Sequence, residues 1–479
     1  MVGFFSAHAL LTGLDPEKLL HEAWVERVNL PLLLSGDSRA LLSFEQLRER
    51  LPGVLAEDGP ARADPGGIDY RQRRPIALHI QVTGLRGLSY PIQGLRRDSP
   101  VAATTYADWG RFELRPGAGV EQMVEPEGRS PLDFVLASAA SPGGFAPELL
   151  DRSADAEAYE SRGIEGFPDS GRLWYTDGGL LGSQPLGRVI AAGRALHGSG
   201  EEGAAVHLLV NPRSEDASTD QWSDPDAAPS WQEGASRALA ILSEQSLFDD
   251  LRRIEKDNSR IEWAERLADL LADGLGPAEA DQLGRFLDGI ESERRGMRAD
   301  EPARDRDQVD ELDPAQFLLR AVCEIGGLVG KERIAIDVIS PKLLEGESGE
   351  DVGSLLAGEF MGDFGGFLSR DLRVSDFALG YESSLAWLRQ GLGECGLADD
   401  LCARTISFVE DRRRYRPEEV RDGSASLSDL SLVDRLQLVR LAAHGARVLG
   451  AGAIDLRSRI PDGLGRAIEA GRSRLRGVD

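Results

Sequence analysis

The stretch 175-YTDGGLLGSQPLG-187 holds the residues best suited to chemistry. Asp177 follows an aromatic and a hydroxyl-bearing residue. Gly178 and Gly179 come next and let the backbone turn sharply. A carboxylate at a strand-to-helix turn can point into a cleft at the C-terminal edge of a parallel sheet, where ligands usually bind. Asp-Gly is also among the commonest turn dipeptides. Taken alone, Asp177 reads better as a turn residue than as a base, and a base needs a nucleophile.

The obvious place for that nucleophile is a G-x-S-x-G elbow, where a sharp strand-to-helix turn exposes the serine hydroxyl. No such elbow occurs in the 479 residues. Gly36-Asp37-Ser38-Arg39-Ala40 ends in alanine and follows no strand. Gly380-Tyr381-Glu382-Ser383 has the wrong spacing. Ser141 lies in a small-residue helical segment, and no run of three glycines offers an oxyanion loop. A histidine partner is no better supported. His79 and His207 both fall in strands, at no spacing that ties them to Asp177, and read as packed strand residues. Cys323, Cys395 and Cys402 form no CxxC, which argues for free thiols and against a disulfide framework or a zinc site. No metal or cofactor is expected.

The elements that must position Asp177 follow from periodicity. In 76-IALHIQVTGLRG-87, Ile76, Leu78, Ile80 and Val82 alternate with smaller or polar residues, which predicts a strand ended by Gly84 and Gly87. The segment 130-SPLDFVLASAASPGGFAPELL-150 predicts a small-residue helix stopped by Pro142, Gly143 and Gly144. A short strand over 172–179, a helix over 185–196 with Pro185 in its first turn, and a strand over 206–212 complete a strand-helix-strand order. Residues 1–50 read as two helices and 51–75 as an exposed loop. Residues 213–235 read as a surface loop and 235–330 as charged helix. A last strand is expected at 333–341, ahead of a glycine- and aromatic-rich stretch and amphipathic helices.

Bulk composition narrows the function. The net charge of −26 argues against a nucleic-acid partner, which needs a basic patch. It also argues against charge-driven attachment to an anionic membrane. All but four of the 55 basic residues are arginine. No apolar run is long enough to span a bilayer. The start, 1-MVGFFSAHALLTGL-14, lacks a basic leader and reads as a helix apolar on nearly every side, which is normally buried. These features point to the cytoplasm.

The order of segments resembles the patatin-like phospholipase family. The match runs through 78-LHIQVTGLRGLSYPIQ-93, 137-ASAASPGGFAPELL-150 and 174-WYTDGGLLGSQPLGRVIAA-192, with Gln184-Pro185 where the family has an Asn-Pro type turn. Further on, 244-EQSLFDDLRRIEKDNSRI-261 and 357-AGEFMGDFGGFLSRDLRVSDFALGYESS-384 resemble a bacterial branch with a helical C-terminal extension, so the resemblance covers most of the chain. It implies an α/β fold, a patatin-like three-layer sheet with flanking helices, followed by a mainly helical C-terminal region. The implied domains are residues 1–212 (patatin-like), 213–330 (acidic loop and helices) and 331–479 (extension).

The implied chemistry is acyl ester hydrolysis by a Ser–Asp dyad on a lipid or small acyl ester, with transient membrane contact. Asp177 would be the general base and Asp177-Gly178-Gly179 its motif. In the family the elbow serine opens a helix like 2-VGFFSAHALLTG-13, ahead of an acidic loop and a Trp-containing helix like 15-DPEKLLHEAWVERV-28. The serine, the glycine loop and the first strands are therefore expected upstream of Met1. A parallel sheet without its central strands would lose about 25 cal/mol per Å² of exposed apolar face, against a total stability of only about 5–15 kcal/mol. The alternative expectation is a non-catalytic patatin-like scaffold.

Overall fold

The computed structural model describes residues 1–34, 40–63, 74–93, 100–117, 119–123, 129–142, 144–164, 166–182, 185–197, 206–211, 231–274, 282, 333–344, 356–357, 365–391, 399–411 and 430–459. The expected Gly36–Arg39 turn, Gln184, Cys323, Cys395 and the loop over 213–230 lie outside them. The chain divides into two units: Met1–Ser246 with Val338–Asp479, and Leu247–Asp337.

The first unit opens with helix α1 (Val2–Thr12). Its start has no side-chain cap, and it ends at Gly13, whose left-handed backbone (φ 77°) carries an N–H to the Ala9 carbonyl. Phe4, Phe5, Ala7, Ala9 and Leu11 are buried, as its apolar composition predicts. Asp15 caps α2 (Pro16–His21) by accepting from the Glu17 and Lys18 amides at 3.0 and 3.1 Å. The chain then widens into a π-helical turn (Glu22–Arg27), a short α3 (Leu30–Leu33) and α4 (Glu45–Leu55). This region therefore holds more than the two helices expected. Leu51, Val54 and Leu55 are buried in α4 rather than lying in an exposed loop.

Strand β1 (Ile76–Gln93) pairs with β2 (Pro100–Leu114), and β1 also pairs with β4 (Arg172–Asp177), which pairs with β3 (Glu148–Asp151). The sheet order is β2-β1-β4-β3 and every pairing is antiparallel. The expected parallel geometry is thus corrected. Asp177 ends a strand whose neighbours both run the other way. β1 does not end at Gly84 and Gly87. It continues to Gln93 across a register shift between Thr83 and Leu88. The glycines sit at that irregularity, and a Cβ on Gly87 would lie 2.2 Å from Thr104 Cγ2. Glycine inside a strand marks such a bulge and close approach as often as an end.

The alternation in β1 sets the core. Ile80, Val82, Phe112, Leu114, Leu150, Leu173 and Tyr175 are buried on one face of the sheet. Helix α5 (Pro131–Ser138) packs there, its start capped by Ser130 Oγ on the Leu132 amide. The ring of Phe134 fills the space above Gly110, where a Cβ would come within 2.5 Å of it. On the other face, Arg188 of α8 (Leu186–His197) lies 3.2 Å over the Trp109 ring. Strand β5 (His207–Val210) belongs to a second, two-stranded sheet with β6 (Ile336–Ile339).

Helix α9 (Trp231–Gly274) runs on into the second unit, where the Asn258 side chain exchanges two hydrogen bonds with the backbone of Ile334. In the first unit, α10 (Arg370–Gly391) packs on the π-helical turn. Arg370 bridges Glu26, and Arg373 Nε donates to the Val25 carbonyl at 2.9 Å. α11 (Asp399–Asp411) lies against α10 through Tyr381, whose hydroxyl donates to the Val409 carbonyl. α12 (Leu432–Arg459) returns to the N-terminal helices, where His444 Nε2 hydrogen-bonds the Ala40 carbonyl at 3.0 Å.

Candidate active site

Asp177 closes β4 at the strand-to-helix turn the sequence predicts, and a four-residue helix, α7 (Gly179–Gly182), follows directly. Its backbone is fixed from two sides. It pairs with Val82 of β1, and its amide donates to the Ala140 carbonyl at 3.0 Å, an oxygen that also accepts from Thr176 Oγ1 at 2.6 Å. Its carboxylate is oriented locally, Oδ1 accepting from the Gly179 amide at 2.8 Å. A Cβ on Gly178 would stand 2.2 Å from the Gln81 carbonyl oxygen, so only glycine lets β4 end so close to β1.

The sheet pairing puts Asp177 on the same face as Val82 and Tyr175, the face that α5 covers and against whose core α1 is buried. The start of α1 packs into that same core, through Met1, Phe4 and Phe5. The start of α1 and the end of β4 thus border one core. Helix starts are electropositive, so this border favours developing negative charge.

Beside this core lies a buried ionic network that sequence spacing gave no sign of. Arg152, fully buried, donates to Asp108 Oδ2 at 2.9 Å, to Asp155 Oδ2 at 2.7 Å and to the Trp109 carbonyl at 3.0 Å. Tyr159 and Tyr175 donate to the same Asp108 oxygen at 2.6 and 2.8 Å, and Arg129 pairs with Asp155 at 3.0 Å. Burial opposes the Arg152 charge, yet Asp108 and the other groups around it hold its pKa above the ordinary value. Burial, then the Asp108 charge, push both tyrosines upward, so they stay protonated donors. Tyr175 precedes Asp177 by two residues on one face of β4. The network therefore clamps the strand that carries the carboxylate. Its members come from four separate stretches of the chain, which is why no local motif shows it.

The remaining sequence candidates fall elsewhere. His79 pairs across the sheet with Arg111, on the face opposite Val82, and neither ring nitrogen has a hydrogen-bond partner. Burial, with the nearby Arg111 and Arg188, keeps its pKa low, so it is a neutral packed residue. His207 lies in the second sheet. Ser383 is buried in α10 and donates to the Leu379 carbonyl. Ser141 directly follows the carbonyl that anchors Asp177 but precedes no elbow helix. Cys402 is buried in α11. Among the described residues no cluster of His, Cys, Asp and Glu is built to hold a metal, and no helix is long and apolar enough to cross a membrane. No protein-family model, curated protein or solved structure matches the chain.

Proposed function

We propose that Asp177 is the general base of a patatin-like Ser–Asp dyad acting on acyl esters, and that the site is the junction of α1 with the end of β4. The observation that carries this reading is the place of Asp177 at the end of β4, on the sheet face against whose core α1 packs. In a serine hydrolase the nucleophile opens a helix and its proton acceptor stands beside it. Helices on both faces of the antiparallel sheet, α5 on one and α8 on the other, support the layered part of this reading.

In this reading a serine immediately ahead of α1 attacks the ester carbonyl. A bond forms between its oxygen and the acyl carbon, and Asp177 takes the hydroxyl proton. The tetrahedral oxyanion is stabilised by backbone amides of a glycine loop. Collapse breaks the bond to the alkoxy group, which leaves as the alcohol with the proton from Asp177. Water then hydrolyses the acyl-enzyme by the same route. A lipid or small acyl ester fits this chemistry.

The test is the nucleotide sequence 5′ of the Met1 codon. The proposal expects an in-frame segment encoding a glycine loop and G-x-S-x-G. A stop codon or frameshift there overturns the catalytic reading and favours the alternative, a non-catalytic patatin-like scaffold.

A further inference from the structure

Helix α12 begins with a capped turn. Ser431 Oγ receives the Asp434 amide at 3.2 Å and donates to the Asp434 carboxylate at 2.6 Å. From there the helix has two apolar faces. One faces inward, where Leu438 and Leu441 pack against the core, His444 reaches Ala40, and Gly445 approaches the Leu41 side chain. The other faces solvent. Leu432, Leu436 and Val439 are 77, 56 and 64% exposed, and Ala443 and Ala446 continue the line as exposed residues. Their spacing alternates four and three residues, the seam pattern of a coiled coil. Val433, 62% exposed, widens the stripe at its start.

Charge selects the occupant. In a coiled coil the residues that flank the seam choose the partner. On α12 those positions are Val433, Arg435, Arg440, Ala442 and Arg447. Every charged flank is a guanidinium. The one acidic residue between Leu432 and Val448, Asp434, lies off the seam and is engaged with the Ser431 cap. This basic stretch stands in a chain of net charge −26. A second copy of α12 would set arginine against arginine. Parallel pairing puts Arg435 opposite Arg440 of the other copy, and antiparallel pairing also matches like flanks. Like charges at these positions disfavour pairing.

We infer that the outer face of α12 docks an amphipathic helix of another protein, with aliphatic residues at both seam positions and carboxylates along its flanks. This inference is independent of the role of Asp177. The aliphatic seam supplies the buried area, and the three arginines set specificity and encounter rate.

The test measures fluorescence anisotropy of two synthetic peptides added to the full chain. One has leucine at both seam positions and glutamate at both flanks, and its sister has lysine at the flanks. The glutamate peptide is expected to bind, and the lysine peptide to bind weaker by about tenfold or more. Because Leu436 and Val439 are exposed, the L436E/V439E variant should fold normally and lose the interaction. The R435E/R440E/R447E variant should reverse the preference. Failure of both peptides to bind overturns the proposal, as does equal binding of the two. Sedimentation of the chain as a dimer that L436E/V439E dissociates also overturns it, since the seam would then belong to a second copy.

Discussion

Asp177 holds its place through neighbours more than through its own contacts. Gly178 is the sharpest case. In Gly178→Ala the new methyl meets the Gln81 carbonyl, so β4 must move away from β1. We expect a loss of about 1–3 kcal/mol of stability together with loss of ester hydrolysis in a chain that carries the nucleophile. Thermal unfolding and an esterase assay check the two separately. Arg152 acts one step further away. Arg152→Met keeps much of the volume but leaves Asp108 and Asp155 buried without their cation, which should cost about 3–5 kcal/mol. Tyr159→Phe removes one of three side-chain donors to Asp108 Oδ2 and should cost less, about 1–3 kcal/mol. Urea unfolding that ranks the two the other way would mean the network is held by its tyrosines. At this scale the sequence marked the turn at Asp177, because Asp-Gly-Gly is a local signal. It could not show Arg152, whose meaning comes only from residues brought together by folding.

At the scale of elements, period-2 alternation was enough to place β1 and its core face, and Pro185 marked a helix start. The partners of β1 were less legible. β2 runs through Ala102, Ala103, Thr104 and Thr105 and then Asp108, a stretch with little apolar alternation, and it is a strand because β1 lends it a ladder. Missing β2 and β3 made strand-helix-strand order look like a parallel sheet. Helix α10 carries a pH-dependent element. Burial raises the Asp376 pKa to about 6, although the Ala357 amide donating to it at 2.8 Å works the other way. The folded value lies above the ordinary 3.8, so its contribution is fully present below that value and is lost as pH rises through about 6. Asp376→Asn keeps an acceptor for Ala357 without the charge. It should match the wild type near pH 4 and be more stable by about 1–3 kcal/mol above pH 7. Melting temperatures across that range check this, and a difference independent of pH would assign the gain to something other than ionisation.

At the scale of the molecule, α1 and α5 pack against the core face of the antiparallel sheet on which Asp177 ends β4. The central claim is that this junction is the base side of an acyl-transfer site. The most direct measurement is the labelling rate by a fluorophosphonate, using the chain extended by its in-frame upstream segment, in the wild type and in Asp177→Asn. The account predicts labelling of one serine ahead of α1, slowed by about 10³-fold or more in the variant, whose fold should be unchanged. Equal labelling of the two proteins, or labelling at Ser141, would contradict it.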